Sequence, residues 1–166
     1  MDRDLAQTQE LLNYLDISHR LMENWAAREL KTYKITVAQA QVIAIIGANE
    51  HVSQEFIANT LQIAKTAVRD SLRKLIKLDY VIRIPDADDK RIHRLSLTEE
   101  GKKFIPIFHK LLVNCNNLAM NSFTQYEKIV FLGLLGKLQT HCSVEFRHPK
   151  NISRKNKKKT QNADLE

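Results

Sequence analysis

Apolar residues recur along this chain with two different periods, and the changes of period mark its elements. Over residues 4–30, Leu11, Tyr14, Leu15, Ser18, Leu21, Met22 and Trp25 fall on one stripe at helical spacing. A helix this long, with few neighbours in sequence to pack against, predicts a subunit-interface element; a helix packed on its own domain is the alternative. Thr36-Val37-Ala38-Gln39 reads as a capping box that opens an apolar helix through Val42, Ile43, Ile45 and Ile46, ending near Gly47. Ser53 then caps a short helix whose Phe56, Ile57, Thr60 and Leu61 share a face, with Ala58 small enough for a close crossing. After a turn at Gln62 and Ile63 comes a helix over residues 64–78. Val68, Leu72, Leu75 and Ile76 cluster in one arc of it, and Thr66, Arg69, Asp70, Arg73, Lys74 and Lys77 fill the opposite one.

The period then drops to two. Residues 80–84 are β-branched and aromatic and residues 92–97 alternate, which predicts a hairpin around the polar tip 86–91. Thr98 caps a long helix with Glu99 and Glu100 in its first turn, where carboxylates complement the macrodipole. It continues through Ile105, Phe108, Leu111, Leu112, Cys115 and Leu118, with a kink expected at Pro106. Thr124-Gln125-Tyr126-Glu127 is a second capping box, opening an apolar helix over residues 129–138. Beyond His148 the chain turns polar and carries Lys157-Lys158-Lys159, the composition of a disordered basic tail.

Only four Gly and three Pro punctuate the sequence, so long elements are expected and a many-turned β-sandwich is not. The fold class that results is mainly α with a small two-stranded β-wing. It is a winged helix-turn-helix flanked by N- and C-terminal helices. The expected division is an N-terminal helical segment at 1–34, the winged helix-turn-helix at 35–101, C-terminal helices at 102–146 and the tail at 147–166.

Charge sharpens this picture through its placement. Of the net +7, residues 1–60 carry −3, residues 61–95 carry +4, residues 96–146 carry +1 and residues 147–166 carry +5. The positive field is thus concentrated on the basic helix, the hairpin and the tail, which marks a binding face for a polyanion. Cys115 and Cys142 form neither a disulfide framework nor a metal knuckle, which fits a reducing cytoplasm. The polar N-terminus lacks an apolar leader, and no apolar run approaches the roughly 18 residues of a membrane span, so neither export nor insertion is expected. No P-loop, GxGxxG, HExxH or GxSxG is present, and the glycines are too few for a phosphate cradle, so no enzyme and no cofactor are expected. His109, Cys115, His141 and Cys142 lack tight ligand spacing, so no metal site is expected either.

A helix that enters the major groove must show base edges a donor-rich face while keeping an apolar face for its own domain. Residues 64–78 are split in that way. Arg69 and Arg73, one turn apart, suit bidentate contact to guanine, and Lys65 and Thr66 lie near the N-terminal end within reach of bases or phosphates. Asp70 is suited to accept from cytosine or to hold an arginine in place. At the hairpin tip, Lys90 and Arg91 follow three acidic residues, where an arginine can enter the narrow minor groove while an aspartate orients it.

With these parts in order, the chain resembles the MarR family of bacterial transcription regulators. The resemblance rests on Asp89-Lys90-Arg91, Leu97-Thr98 and Gly101, and covers roughly residues 36–101. It implies that Arg91 is the minor-groove residue with Asp89 as its orienting partner, and that Lys65, Thr66, Arg69 and Arg73 face the major groove. It also implies a homodimer on a pseudo-palindromic operator in double-stranded DNA, with 1–34 as the N-terminal helical dimerisation segment and 102–146 as the C-terminal dimerisation helices. A ligand-responsive repressor follows, acting in the cytoplasm on the nucleoid. Its effector would be a small aromatic anion in a cleft lined by Tyr14, His19, Trp25, Arg28 and Tyr33, of which Tyr14, Trp25 and Arg28 are the expected ligand-binding residues. The chain departs from the family pattern in having Gln62 and Ala64 where Gly and Ser or Thr are usual around the turn, and Asp79 where Gly is usual after the recognition helix. Two alternatives stand beside this reading: a SlyA-like regulator that counters nucleoid proteins without a dedicated ligand, and a winged-helix interaction or RNA-binding module whose tail supplies the charge.

Overall fold

The computed structural model describes residues 2–49, 51–86 and 93–145. The tail from residue 147 and the hairpin tip from residue 87 to 92 lie outside the described residues. The elements run α1 (Asp2–Glu29), a 3-10 turn (Leu30–Tyr33), α2 (Val37–Ala48), α3 (Gln54–Leu61), α4 (Lys65–Lys77), β1 (Val81–Pro85), β2 (His93–Leu97), α5 (Glu99–Ala119) and α6 (Gln125–Glu145). This is the mainly helical, winged architecture that the pattern predicts. The chain forms two compact units, Met1–Ala119 and Met120–Glu166.

The first unit has one core. Leu30, Val42, Ile43, Ile57, Val68, Leu72, Leu75 and Val81 are fully buried, joined by Phe104, Phe108 and Leu111 of α5. The core therefore crosses the boundary drawn at residues 101–102. Phe104 sits at its aromatic centre, with Tyr33 edge-on at 5.3 Å, Tyr80 edge-on at 5.5 Å and Phe108 stacked at 6.0 Å. Such arrangements contribute about 0.5–1.5 kcal/mol per pair beyond burial itself. Burial also pushes the Tyr80 phenol up from its ordinary pKa, with Tyr33 and Glu100 adding to the shift.

Local signals set the helix starts. The Thr36 hydroxyl accepts from Gln39 N–H at 3.2 Å and Gln39 Oε1 accepts from Thr36 N–H at 3.0 Å, closing the capping box of α2. Ser53 accepts from Phe56 N–H at 3.1 Å and caps α3. The apolar face of α3 differs from the expected one. Ile57 and Ala58 are buried and Leu61 half-buried, whereas Phe56 is 43% exposed and Thr60 is exposed. The small Ala58 turns inward and lets α3 approach its neighbours closely, which rotates Phe56 out.

β1 and β2 pair antiparallel in the register Val81↔Leu97 to Pro85↔His93. A third strand contact lies outside the hairpin: Leu95 N–H donates to Val52 O at 2.9 Å, tying the wing to the loop before α3. α5 continues through Pro106. In the second unit, Glu127 and Thr124 exchange the hydrogen bonds of a capping box, and these hold the Glu127 carboxyl below its usual pKa. Phe123 lies 5.7 Å from Phe131 within the same unit. Among the described residues no helix is long and apolar enough to cross a membrane, and no group of three metal-ligating side chains converges.

Candidate nucleic-acid interface

α4 is held from beneath by Val68, Leu72 and Leu75, each with no exposed surface. Ile76, expected in the same arc, lies at its edge and is exposed, because only three positions of a helix this short can point straight into the core. The opposite face carries Thr66, Arg69, Asp70, Arg73, Lys74 and Lys77, all exposed. α4 thus presents a continuous polar and basic surface that its own domain does not cover.

The turn before α4 is tight although it lacks glycine. Gln62 adopts the left-handed conformation, with φ 57°, and Ile63 N–H donates to Ala58 O at 3.2 Å. Ala64 takes the N-cap position without a side-chain acceptor. Its carbonyl accepts from Ala67 N–H at 3.0 Å and Val68 N–H at 3.3 Å, so the helix starts one residue later than the pattern suggests.

Lys65 lies at that start but is not a free cation. Its Nζ meets Glu55 Oε1 at 2.6 Å, and Gln54 Nε2 donates to its carbonyl at 3.0 Å. Both partners belong to α3, so the two helices of the helix-turn-helix are stapled at the open end of α4. The Lys65 hydrogen bond and charge hold the Glu55 carboxyl below its ordinary pKa. Gln54 and Glu55 were missed by sequence reasoning, since partners 10 and 11 residues apart fall on no helical or strand period. Further along, Arg69 Nε stands 3.9 Å and Arg73 Nη1 3.6 Å from Asp70 Oδ1, too far for hydrogen bonds but close enough for mutual attraction.

The wing is anchored at both ends. Arg94 pairs with Asp86 at the base of the tip, and Arg83 is exposed on β1. Asp89, Lys90 and Arg91 of the expected minor-groove set lie outside the described residues. The Leu97-Thr98 and Gly101 part of the motif is a joint. Thr98 donates to Asp79 O, accepts from Gly101 N–H at 3.0 Å, and its own N–H reaches Tyr80 O at 3.2 Å. A Cβ on Gly101 would stand 2.2 Å from Tyr80 O, so only glycine lets α5 pass this close to the strand. Asp79 is left-handed, with φ 60°, where glycine would be the easier residue.

Two clefts flank α1. One, of about 470 Å³, lies between α1, the start of α2 and the end of α4, and is lined by Lys31, Lys34, Lys74, Asn24 and Ile35 among others. The other, of about 200 Å³, is lined by His19, Met22, Val37, Gln41, Phe108 and Cys115 among others. Tyr14, Trp25 and Arg28 line neither. Trp25 is half-buried and packs against the core, while Tyr14 and Arg28 face outward. Of the residues expected around a ligand, His19 lines the second of these clefts, and Tyr33 packs edge-on against Phe104 in the aromatic core.

Comparison with known proteins agrees with this geometry. A MarR family model matches residues 33–92. The chain is 23% identical over 141 residues to the uncharacterised HTH-type transcriptional regulator YybA of Bacillus subtilis (strain 168), spanning 85% of this chain and 94% of that protein. Its fold is similar to the crystal structure of the transcriptional regulator SlyA, with TM-score 0.78, 22% identity, and coverage of 82% of this chain and 96% of that one. It is similar also to the crystal structure of an S. aureus MepR–DNA complex, with TM-score 0.68, 24% identity, and coverage of 77% and 92%.

Proposed function

We propose that this winged helix-turn-helix protein, whose residues 33–92 match a MarR family model, is a regulator of that family and acts on transcription as a homodimer bound to a pseudo-palindromic operator. The observation that carries this reading is α4, whose Val68, Leu72 and Leu75 are fully buried while its whole opposite face is exposed and basic. Arg69 and Arg73 read base edges in the major groove, Thr66 and Lys65 position the helix on the backbone, and Arg91, oriented by Asp89 beside Lys90, enters the minor groove. The similarity to a MepR–DNA complex supports the docking of a winged helix on duplex DNA. Exposed Leu11, Tyr14 and Leu21 on α1, and Ile129, Leu132 and Leu134 on α6, supply apolar surface for a second copy. Repression is relieved by a small aromatic anion, for which the cleft holding His19 is the nearest apolar recess.

The test uses the full chain, its own upstream DNA and a scrambled duplex of equal length, across a range of salt. Affinity for the upstream DNA is expected to fall steeply with salt while a preference of about a thousandfold or more over the scrambled duplex persists. Arg91→Ala is expected to weaken the specific complex by about 1–3 kcal/mol. Equal binding to both duplexes at every salt concentration rejects the reading.

A further inference from the structure

Resting on the assignment of α4 as the groove-entering helix, we propose that Asp70 reads sequence directly: its carboxylate accepts a hydrogen bond from the exocyclic amino group of a cytosine or an adenine on the floor of the major groove. The argument begins with direction. At about 100° per residue, the fully buried Val68, Leu72 and Leu75 fix the inward side of α4, and the opposite direction falls within about 15° of Asp70. Thr66 and Lys77 lie within about 40° of that ridge, Arg73 about 60° from Asp70 and Arg69 about 100° from it. The outward ridge of α4 is therefore shared by Lys77 near its C-terminal end and, at its middle, by Asp70, a carboxylate that is 61% exposed.

Charge then selects what such a group can meet. On the flank of a groove-bound helix a carboxylate faces phosphates and is repelled. On the ridge it faces the floor, where the hydrogen-bond donors are cytosine N4 and adenine N6, and every other base-edge atom is an acceptor or a methyl. The lone pairs of Asp70 are available for this, because its two neighbours, Arg73 at 3.6 Å and Arg69 at 3.9 Å, attract it without hydrogen-bonding to it. These arginines also lower the cost of bringing a negative group near DNA, and the carboxylate in turn holds their forks beside the bases they contact. An arc of cations alone would bind any duplex. A central acceptor between them adds a requirement for a base that donates.

The experiment selects binding sites from a randomised duplex library with the full-length protein, its Asp70→Ala variant and its Asp70→Asn variant, all at one salt concentration. In the wild-type preference matrix, one position of each half-site is expected to demand an amino-bearing base, and its identity separates cytosine from adenine. In Asp70→Ala that one column is expected to lose about tenfold of its discrimination while the others stand. In Asp70→Asn it is expected to move toward adenine, since an amide pairs with adenine N6 and N7 together. Tighter binding by Asp70→Ala with every column unchanged overturns the inference, and so does a loss confined to guanine columns, which would reduce Asp70 to a positioning group for its arginines. A wild-type protein without any preference removes the operator reading itself, and is thereby distinct from either result. Asp70 is an exposed helical residue without hydrogen-bond partners among the described residues, so both variants are expected to fold and to melt as the parent does.

Discussion

α4 and α1 divide their side chains in opposite ways. α4 hides three aliphatic residues completely and offers charge to solvent, whereas over much of its length α1 offers solvent what α4 hides: Leu21 is 64% exposed and Tyr14 65%. α6 resembles α1 in this, with Tyr126 at 75% exposure and Ile129 at 63%. The reading head is finished by its own chain, since its core closes over the inner faces of α2, α3, α4 and the wing. The first half of α1 and most of α6 remain unfinished surfaces. Each large apolar side chain left in water forgoes about 1.5–3 kcal/mol of burial, so a stripe of them is stable only as something to be covered.

The strongest way to break this contrast is Leu11→Glu combined with Leu15→Glu. Neither side chain belongs to the core, so the head is expected to melt unchanged. Two charges in place of two buried aliphatics are expected to weaken self-association by at least about a hundredfold in sedimentation equilibrium, and tight operator binding with it. An unaltered dimer mass would mean that α1 is covered by something else. Within the head, Gly101→Ala is expected to cost about 3 kcal/mol in urea unfolding, because Tyr80 O occupies the place of the new methyl. A midpoint equal to that of the parent would show that α5 and the wing can part without loss.

Smaller effects sharpen the same contrast from inside the head. Gln62→Gly is expected to raise stability by about 0.5–1 kcal/mol, since the left-handed φ of 57° is uncomfortable for a side chain with a Cβ. The Glu55–Lys65 staple should show itself only through pH. Lys65 lowers the Glu55 pKa from 4.5, so the contribution is present above the ordinary carboxylate range and fades as pH falls through it. Glu55→Gln is therefore expected to be slightly less stable than the parent near neutrality and to match it in acid. A constant difference across the whole pH range would assign the effect to packing instead.

Much of the fold could be read from the sequence because its strongest signals are local. A capping box spans four residues, and those at Thr36 and Thr124 mark the starts of their helices. The alternation in residues 92–97 sets which strand residues face the core, and Leu95 is buried accordingly. Phe56 and Ile76 were harder, because an eight-residue helix and the edge of an apolar arc leave the inward direction to be settled by crossing geometry. The staple of Gln54 and Glu55 on Lys65 and the strand contact of Val52 with Leu95 depend on tertiary placement, for which the chain carries no periodic mark. Tyr14, Trp25 and Arg28 share one helix but line neither of the two clefts that flank it, because a shared helical face does not set which neighbours enclose it.

α5 touches two distinct parts of the first unit. Near its start, Thr98 and Gly101 grip the Asp79–Tyr80 corner where α4 ends, and two to four turns later Phe108 and Cys115 form part of a cleft wall. A single helix thus spans from the corner that closes α4, held by Thr98 and Gly101, to the recess wall at Phe108 and Cys115, so both belong to one continuous element.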